Sequence, residues 1–477
     1  MSPWIPEDLR RILVSDPAFA NSYLVGGCVR DACLGLPVKD YDVEVFGLRV
    51  DQLQQALTAF GKVDAVGRSF GVLKLTTKPG CTYDFSLPRR DSKIGAGHRG
   101  FDIECDPDLP LAEATARRDF TINAVMYDPR RAALLDFHGG LEDLRQRVLR
   151  HTSAAFSEDP LRVLRGMQFV SRFELEAHPS TIAACQAMRS TYGELAVERV
   201  REEWYKWATL SRKPSLGLEF LRATGWLEHS PELNALVSCA QDPTWHPEGT
   251  VWTHTGHCCD ALVSLPSWSE AIAEPERRLI WMFAVLCHDL GKPVTTRSEE
   301  RDGRMRIVSP GHDVAGVPLT RALLSRWAVP EDIQDRVARL VLHHMSHMQS
   351  QSPRAVRRLA RALWPETIEN LATVITSDAY GRPPKPREAP AALAGLLEQA
   401  AQMQLANKAP KPILLGRHLV PYGFQPGKEL GEVLRAAMEA QLEGAFEDLP
   451  GAMAWLRERH PTPPSPNASS ADGPIRS

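Results

Sequence analysis

Asp40 and Asp42 stand two residues apart in a run, 40–46, that alternates charged and apolar side chains. On a strand, residues i and i+2 point to one face. The pair is therefore expected to present two carboxylates together. Such a pair can hold two metal ions about 3.5–4 Å apart, the arrangement used for phosphoryl-type transfer. One ion lowers the pKa of an attacking hydroxyl and the other neutralises a leaving pyrophosphate. Shortly before it comes Gly26-Gly27-Cys28-Val29-Arg30-Asp31. A Gly-Gly turn lets backbone amides approach a triphosphate, and a helix starting there adds a favourable dipole. Each feature alone is common on proteins with no such chemistry. Together they point to nucleotidyl transfer.

Two further constellations stand out. Asp159 and Arg162 are i and i+3, neighbours on one helix face. An aspartate accepts a hydrogen bond from an exocyclic amine, and an arginine donates to a ring nitrogen. Cytosine and adenine both offer that amine and that acceptor. Uracil and guanine offer a carbonyl and an N–H instead, so both contacts fail. Unpaired polar groups of this kind give discrimination of roughly 10⁴-fold. The other constellation is His254, His288-Asp289, His312, His343-His344 and Asp378. Imidazole and carboxylate on adjacent helices suit a divalent transition metal or Mg²⁺.

The elements that must position these residues follow from pattern. Runs at 23–25, 40–46, 72–76 and 82–85 read as strands, with helices at 30–34 and 51–60. This is a small α/β domain over 1–150. Helical periodicity takes over from Ala154, with Ser157 as N-cap and Pro160 in the first turn of the helix that carries Arg162. A helical neck covers 151–236. Residues 241–249 form a Pro-containing loop, and a histidine-rich helical block covers 250–380. Residues 381–390 (GRPPKPREAP) read as a linker, 391–460 as a C-terminal helical region, and 461–477 as a disordered tail.

The chain has 477 residues, 43% hydrophobic and 24% charged, which fits several globular domains. The net charge of −3 excludes a globally basic nucleic-acid binder. RNA contacts must then come from local clusters such as Arg354, Arg357, Arg358 and Arg361, or Arg145, Arg147 and Arg150. Nine scattered cysteines without a CxxC pair favour a reducing, cytoplasmic setting. No signal peptide and no membrane span are expected, because no apolar run approaches the ~18 residues a span needs. The sequence is silent on oligomeric state.

The run YLVGGCVRDACLGLPVKDYDVEVFG closely resembles the first motif of the tRNA nucleotidyltransferase and poly(A) polymerase family, within the polymerase-β-like superfamily. RRDFTINA, at 117–124, resembles its second motif, and EDPLR, at 158–162, the motif in which Asp and Arg act as a protein template. The resemblance implies Asp40 and Asp42 as ligands of Mg²⁺, with Asp84 on a later strand as base or orienter. Gly26, Gly27, Arg30, Arg118 and Arg165 are the implied triphosphate contacts. Asp119 and Asn123, at i and i+4, would hold the ribose, and Asp159 and Arg162 would select the base. Glu198-Arg199 with Glu202 resembles the next motif, which braces the template residues. Asp136-Phe137-His138-Gly139-Gly140 resembles the family's hinge-like motif. The glycine-rich, basic loop between Ser86 and Arg117 resembles the mobile segment linked to adenosine addition. The pattern H…HD…D resembles the HD phosphohydrolase superfamily. It implies His254, His288, Asp289 and Asp378 as ligands of a divalent metal (Mg²⁺, Mn²⁺ or Ni²⁺), with His312 and His343 adding a second. The resemblance thus implies an α/β polymerase-β-like nucleotidyltransferase head, an all-α neck, an HD-type helical body and a helical tail. Its partners would be tRNA, ATP and CTP. Adding only A, polyadenylation, and HD phosphohydrolysis with a degenerate head stand as alternatives.

Overall fold

The structure, a computed structural model, describes residues 4–65, 72–78, 80–93, 101–301, 303–349 and 351–461. It divides into two compact units, Met1–Ala235 with Arg326–Val329, and Leu236–Ser325 with Pro330–Ser477.

The first unit is built on a seven-stranded mixed sheet. Its strands are β1 (Ser22–Val25), β2 (Asp42–Val45), β3 (Gly61–Ala65), β4 (Val72–Thr77) and β5 (Thr82–Ser86). Strands β6 (Arg89–Lys93) and β7 (Phe101–Cys105) pair with each other in a separate antiparallel hairpin. Strands β8 (Met126–Asp128) and β9 (Ala133–Leu135) complete the sheet, whose order is β3-β4-β5-β2-β1-β8-β9. Only the central pair β2 and β5 runs parallel, and its register sets Asp42 opposite Asp84. Period-2 alternation explains the faces. Val43, Val45, Leu73, Leu75, Tyr83 and Phe85 turn into a core closed by helices α1 (Glu7–Ser15) and α3 (Val50–Thr58). The intervening residues, Asp42, Glu44 and Asp84, are left to the opposite face. Helix α2 (Gly27–Cys33) leaves β1 directly through Gly26.

Three readings change here. The helix expected at 30–34 begins at Gly27, and the strand expected from residue 40 begins at Asp42. The loop expected between Ser86 and Arg117 contains the β6–β7 hairpin and helix α4 (Leu111–Ala116). β6 reads Arg-Arg-Asp-Ser-Lys, polar on both faces, so no alternation marks it as a strand. The glycine-rich stretch 94–100 lies outside the described residues.

After helix α5 (Gly140–Gln146) the unit becomes helical: α6 (Leu161–Phe173), α7 (Pro179–Ala187), α8 (Val197–Leu210) and α9 (Pro214–Ala223). α6 packs on α8 and α9. Trp204 and Trp207 of α8 are fully enclosed, and Trp204 stacks on Trp327 at 3.9 Å between ring centroids. That stack is why 326–329 belongs to this unit. Ser157 does not cap α6. It bonds back to the carbonyl of Ala154 within a 3₁₀ turn, and Asp159 Oδ1 takes the first helical amide, Leu161 N–H, at 3.0 Å.

The second unit is helical around Pro275–Cys287, in which every residue from Leu279 to Cys287 is buried. A helix apolar on all sides belongs at a core. Val251–Ser264, Glu331–His343 and Ile368–Tyr380 pack on it, and His312–Arg326 follows a hairpin of Arg297–Arg301 with Arg304–Val308. The stretch read as a linker is fastened down: Arg382 pairs with Asp378 at 2.7 Å and Lys385 Nζ donates to the carbonyl of Trp245. Proline content suggested a linker, but these cations have partners. The arginine face of Pro353–Leu363 is also occupied within the unit. Arg354 and Arg358 pair with Glu443, Arg358 also pairs with Glu439, and Arg357 donates to the carbonyl of Leu442. These residues dock the tail helix Lys428–Glu443. Residues 462–477, expected to be disordered, lie outside the described residues. Among the described residues no helix is long and apolar enough to cross a membrane.

Candidate functional sites

The head site forms where β1 turns into α2. Gly26 has φ 74°, and a Cβ there would lie 3.0 Å from Arg118 Nη1 and 3.7 Å from Asp42 Oδ2. The positive φ disfavours a side chain there, and the space beside it is tight. The turn, Arg118 and Asp42 therefore converge, as expected. Asp40 precedes β2, which starts at Asp42, and its charge acts on the Asp42 carboxyl. The strand-face partner of Asp42 is Glu44, a residue the motif reading passed over. Glu44 is fully buried, accepts from Arg117 Nη2 at 2.7 Å, and has Arg118 Nη2 at 3.7 Å. It thus aims both arginines of the second motif. The Asp42 carboxyl is pushed up from its ordinary range by desolvation and by Asp84, Asp40 and Glu44, with Arg118 opposing. Asp84 Oδ1 makes no hydrogen bond and has Lys74 Nζ at 3.5 Å. A buried carboxylate crowded by others, one of which keeps an unsatisfied oxygen, suits divalent cations.

The second motif does not form a helix; it runs from the end of α4 into a 3₁₀ turn at Thr121–Asn123. Its polar groups make a closed chain. Arg30 Nη1 donates to Asn123 Oδ1 at 2.7 Å, Asn123 Nδ2 donates to Asp119 Oδ1 at 2.9 Å, and Arg165 Nε donates to Asp119 Oδ2 at 2.7 Å. Arg30 is buried over the ring of Phe173. Burial opposes ionisation of Asp119, but Arg165 and Asn123 outweigh it and hold the carboxyl below its ordinary value. Asp136 accepts from the amides of His138, Gly140 and Leu141, fixing the start of α5.

Asp159 and Arg162 are each braced separately. Arg199 Nη2 of α8 donates to Asp159 Oδ2 at 2.8 Å. Arg162 Nη1 and Nη2 donate to the carbonyls of Ala155 and Arg117, both at 2.7 Å. The second of these ties the pair to the backbone beside Arg118. A carboxylate offers about four acceptor positions and a guanidinium five N–H donors, so both keep capacity for a ligand.

In the second unit, four histidines share one design. Nδ1 of His254 meets Glu248 Oε1 at 2.8 Å, His288 Nδ1 meets the carbonyl of Val285 at 2.7 Å, His312 Nδ1 that of Ser309 at 2.8 Å, and His344 Nδ1 that of Val341 at 2.6 Å. These oxygens can only accept, so each Nδ1 carries a proton and each ring turns its Nε2 inward, a lone pair wherever the ring is neutral. His312 Nε2 and His344 Nε2 face each other at 3.1 Å. Two such lone pairs repel unless a cation lies between them. Asp289 bridges the set, with Oδ1 3.4 Å from His312 Nε2 and Oδ2 3.2 Å from His288 Nε2. Burial opposes its charge, yet His288 and Lys292 hold it well below the usual range. His344 is pushed down to about 4 by burial and by His288 and His312, so it is neutral at physiological pH. The donor set fits divalent metal. A cleft of about 230 Å³ opens on it, lined by Trp245, Lys292 and Arg382 among others.

His254, His288, Asp289, His312 and Asp378 come together as expected. His343 does not; His344 takes its place. The buried positions of that helix, Ile333, Val337, Leu340 and Val341, continue in phase to 344, whereas 343 falls with Arg336 and Arg339. Helix phase carried the signal. Cys258, one turn after His254, was also passed over. His246 and Glu248 lie on a loop, where no periodicity could have marked them.

A mixed sheet with carboxylates on its open face, followed by helices and a histidine–aspartate cluster, defines a nucleotidyltransferase head joined to an HD unit. Residues 22–150 match the poly A polymerase head domain family and residues 256–379 the HD domain family. Both domain types imply divalent metal use. The chain is 36% identical over 379 residues to the multifunctional CCA protein of Xylella fastidiosa strain 9a5c, covering 76% of this chain and 84% of the relative. It belongs to the multifunctional CCA protein family of nucleotidyltransferases. The fold is shared with the Bacillus stearothermophilus CCA-adding enzyme in complex with CTP (TM-score 0.61, 21% identity, 94% of this chain and 99% of that one). It is shared too with the Thermotoga maritima CCA-adding enzyme complexed with tRNA (TM-score 0.58, 18% identity, 95% and 97%).

Proposed function

We propose that this chain adds C, C and then A to the 3′ end of tRNA, from CTP and ATP, without a nucleic-acid template. The observation that carries the reading is the bond from Arg162 to the carbonyl of Arg117, which fixes the base-selecting pair beside Arg118 and Asp42. The tRNA 3′ oxygen attacks the α-phosphorus, forming the new P–O bond. The bond to the β-phosphate oxygen breaks, and pyrophosphate leaves with that electron pair. Asp84, in register with Asp42, would accept the hydroxyl proton. Arg118 and the amides after Gly26 hold the triphosphate. Arg30, Asn123, Asp119 and Arg165 form the rigid floor under the ribose; Arg30 acts there by positioning Asn123. Asp40 and Asp42 would hold Mg²⁺, which supplies charge neutralisation and a more acidic hydroxyl. Nine scattered cysteines without a CxxC pair and a tRNA substrate support a cytoplasmic setting.

The test incubates the protein with tRNA lacking CCA, tRNA ending in CC, and each labelled nucleotide separately. Two C and one A are expected on the first substrate and one A on the second. Incorporation of neither CTP nor ATP sinks the reading. Addition of A on the CC-ending substrate alone points to an A-adding enzyme, and repeated A to a poly(A) polymerase.

A second reading, phosphoester hydrolysis at the HD cluster, rests on the inward Nε2 lone pairs around Asp289. Mg²⁺, Mn²⁺ or Ni²⁺ would activate water there. Glu248 is the outer carboxylate of this site: it is enclosed, and the His246 and His254 hydrogen bonds outweigh burial and bring it to about 2. Replacing it by Gln weakens the orientation and basicity of His254. Calorimetric titration of the metal-stripped protein should show affinity falling about 10–100-fold; an unchanged isotherm would remove Glu248 from the site.

A further inference from the structure

We propose that Cys258 supplies a thiolate to the HD-unit metal, so that His254, Cys258, His288 and Asp378 form a donor set favouring a thiophilic ion of the Zn²⁺ type over Mg²⁺. The inference rests on the reading of this cluster as a metal site and concerns which ion it takes.

The ligand atoms of these four residues lie within 4.8 Å of one another, and all four residues are buried. Cys258 Sγ is 3.3 Å from His254 Nε2, and Asp378 Oδ1 is 3.1 Å from the same nitrogen. Tetrahedral zinc, with Zn–S near 2.3 Å and Zn–N near 2.0–2.1 Å, sets neighbouring donors roughly 3.4–3.8 Å apart. The cluster is therefore close to the required size before any ion enters. His288 is 1% exposed, and its Nε2, 3.2 Å from Asp289 Oδ2, makes no hydrogen bond to the other three donors of the group. An S–H···N bond from Cys258 to His254 would satisfy the sulfur but leave the His288 lone pair facing a carboxylate. A shared cation answers both.

Local structure places the sulfur deliberately. Cys258 follows His254 by four residues on Val251–Ser264, so both occupy one face of the helix. Opposite it, Gly381 ends Ile368–Tyr380, and a Cβ there would lie 2.3 Å from Sγ and 2.8 Å from the Cys258 amide nitrogen. Only a residue without a side chain leaves room for the thiol at Asp378. Two imidazoles, one thiolate and one carboxylate make a softer set than imidazole and carboxylate alone, and soft ligands select Zn²⁺ and its neighbours over Mg²⁺. Binding releases the thiol proton to solvent.

The full-length protein, stripped with chelator and reloaded with Zn²⁺, should show one sulfur at about 2.3 Å in zinc-edge X-ray absorption. The Co²⁺-loaded protein should show a near-ultraviolet thiolate-to-cobalt charge-transfer band. Cys258→Ser should abolish that band, and Cys259→Ser, a buried neighbour outside the donor set, should keep it. Zinc bound with nitrogen and oxygen neighbours alone, or a band that survives Cys258→Ser, overturns the thiolate ligand. Failure to bind either ion overturns the metal-site reading itself. If Cys258→Ser does not fold, the zinc-edge measurement on the parent protein decides.

Discussion

Asp42→Ala is expected to abolish nucleotide addition while HD-site phosphoester hydrolysis continues. Asp42 is the carboxylate beside the glycine turn, and β2–β5 pairing fixes its distance from Asp84. Without it, the charge that offsets the triphosphate has no anchor. Electrostatic stabilisation of this kind is worth several kcal/mol, and each 1.36 kcal/mol is tenfold, so the rate should fall by about 10³-fold or more. The fold should not suffer. Folding raises the pKa of this carboxyl, so its stabilising contribution is present below the unfolded value and is lost as pH rises through the folded value. At neutral pH the ionised group costs stability, and in chelator-containing buffer the variant should melt no lower than the parent. The HD cluster belongs to the other compact unit. Addition to tRNA and hydrolysis of a phosphomonoester, assayed on one preparation, give the answer. Loss of both in a folded variant contradicts two independent sites.

What the sequence disclosed follows from how locally each feature is encoded. The Gly26 turn, Asp42, and the Asp159–Arg162 pair sit within single turns or strands, so local spacing and the family motifs together pointed to them. The start of β2 at Asp42 rather than at residue 40 was not legible, because its pairing with β1 and β5 decides where the strand begins. Glu44 looked like an ordinary strand residue; its importance comes from Arg117 and Arg118, more than seventy positions away. The closed chain through Arg30, Asn123, Asp119 and Arg165 is likewise tertiary. The family motif pointed to Asp119 and Asn123, but spacing could not show that the segment is a 3₁₀ turn in which they bond each other. In the second unit, apolar phase along Glu331–His343 distinguishes His344 from His343, so that error was avoidable. Glu248 was not recoverable: only the fold brings its loop to His254.

Asp159→Asn is the second variant with a large expected effect, and it tests selection directly. In the parent, Oδ1 accepts Leu161 N–H and Oδ2 accepts Arg199. Asparagine keeps one acceptor and adds an amine. If the oxygen stays on Leu161 N–H, the amine faces the Arg199 guanidinium, donor against donor. If the oxygen turns to Arg199, the first amide of α6 loses its partner. In both cases the edge that should receive the N4 or N6 amine of the base now offers a donor, which suits uracil O4 or guanine O6. A good bidentate pair carries about 1–3 kcal/mol of discrimination, so the preference for CTP over UTP should shrink by roughly 10- to 100-fold. Stability should change little, because the Asp159–Arg199 pair is only partly buried and such pairs contribute at most about 1 kcal/mol. Single-turnover incorporation of all four nucleotides into tRNA lacking CCA measures this. Arg199→Ala separates reading from bracing. It keeps the carboxylate but frees it, so rates for C and A should fall together while their preference over U and G remains. Should Asp159→Asn retain the parental preference, Asp159 does not read the base, and selection must reside elsewhere in the head.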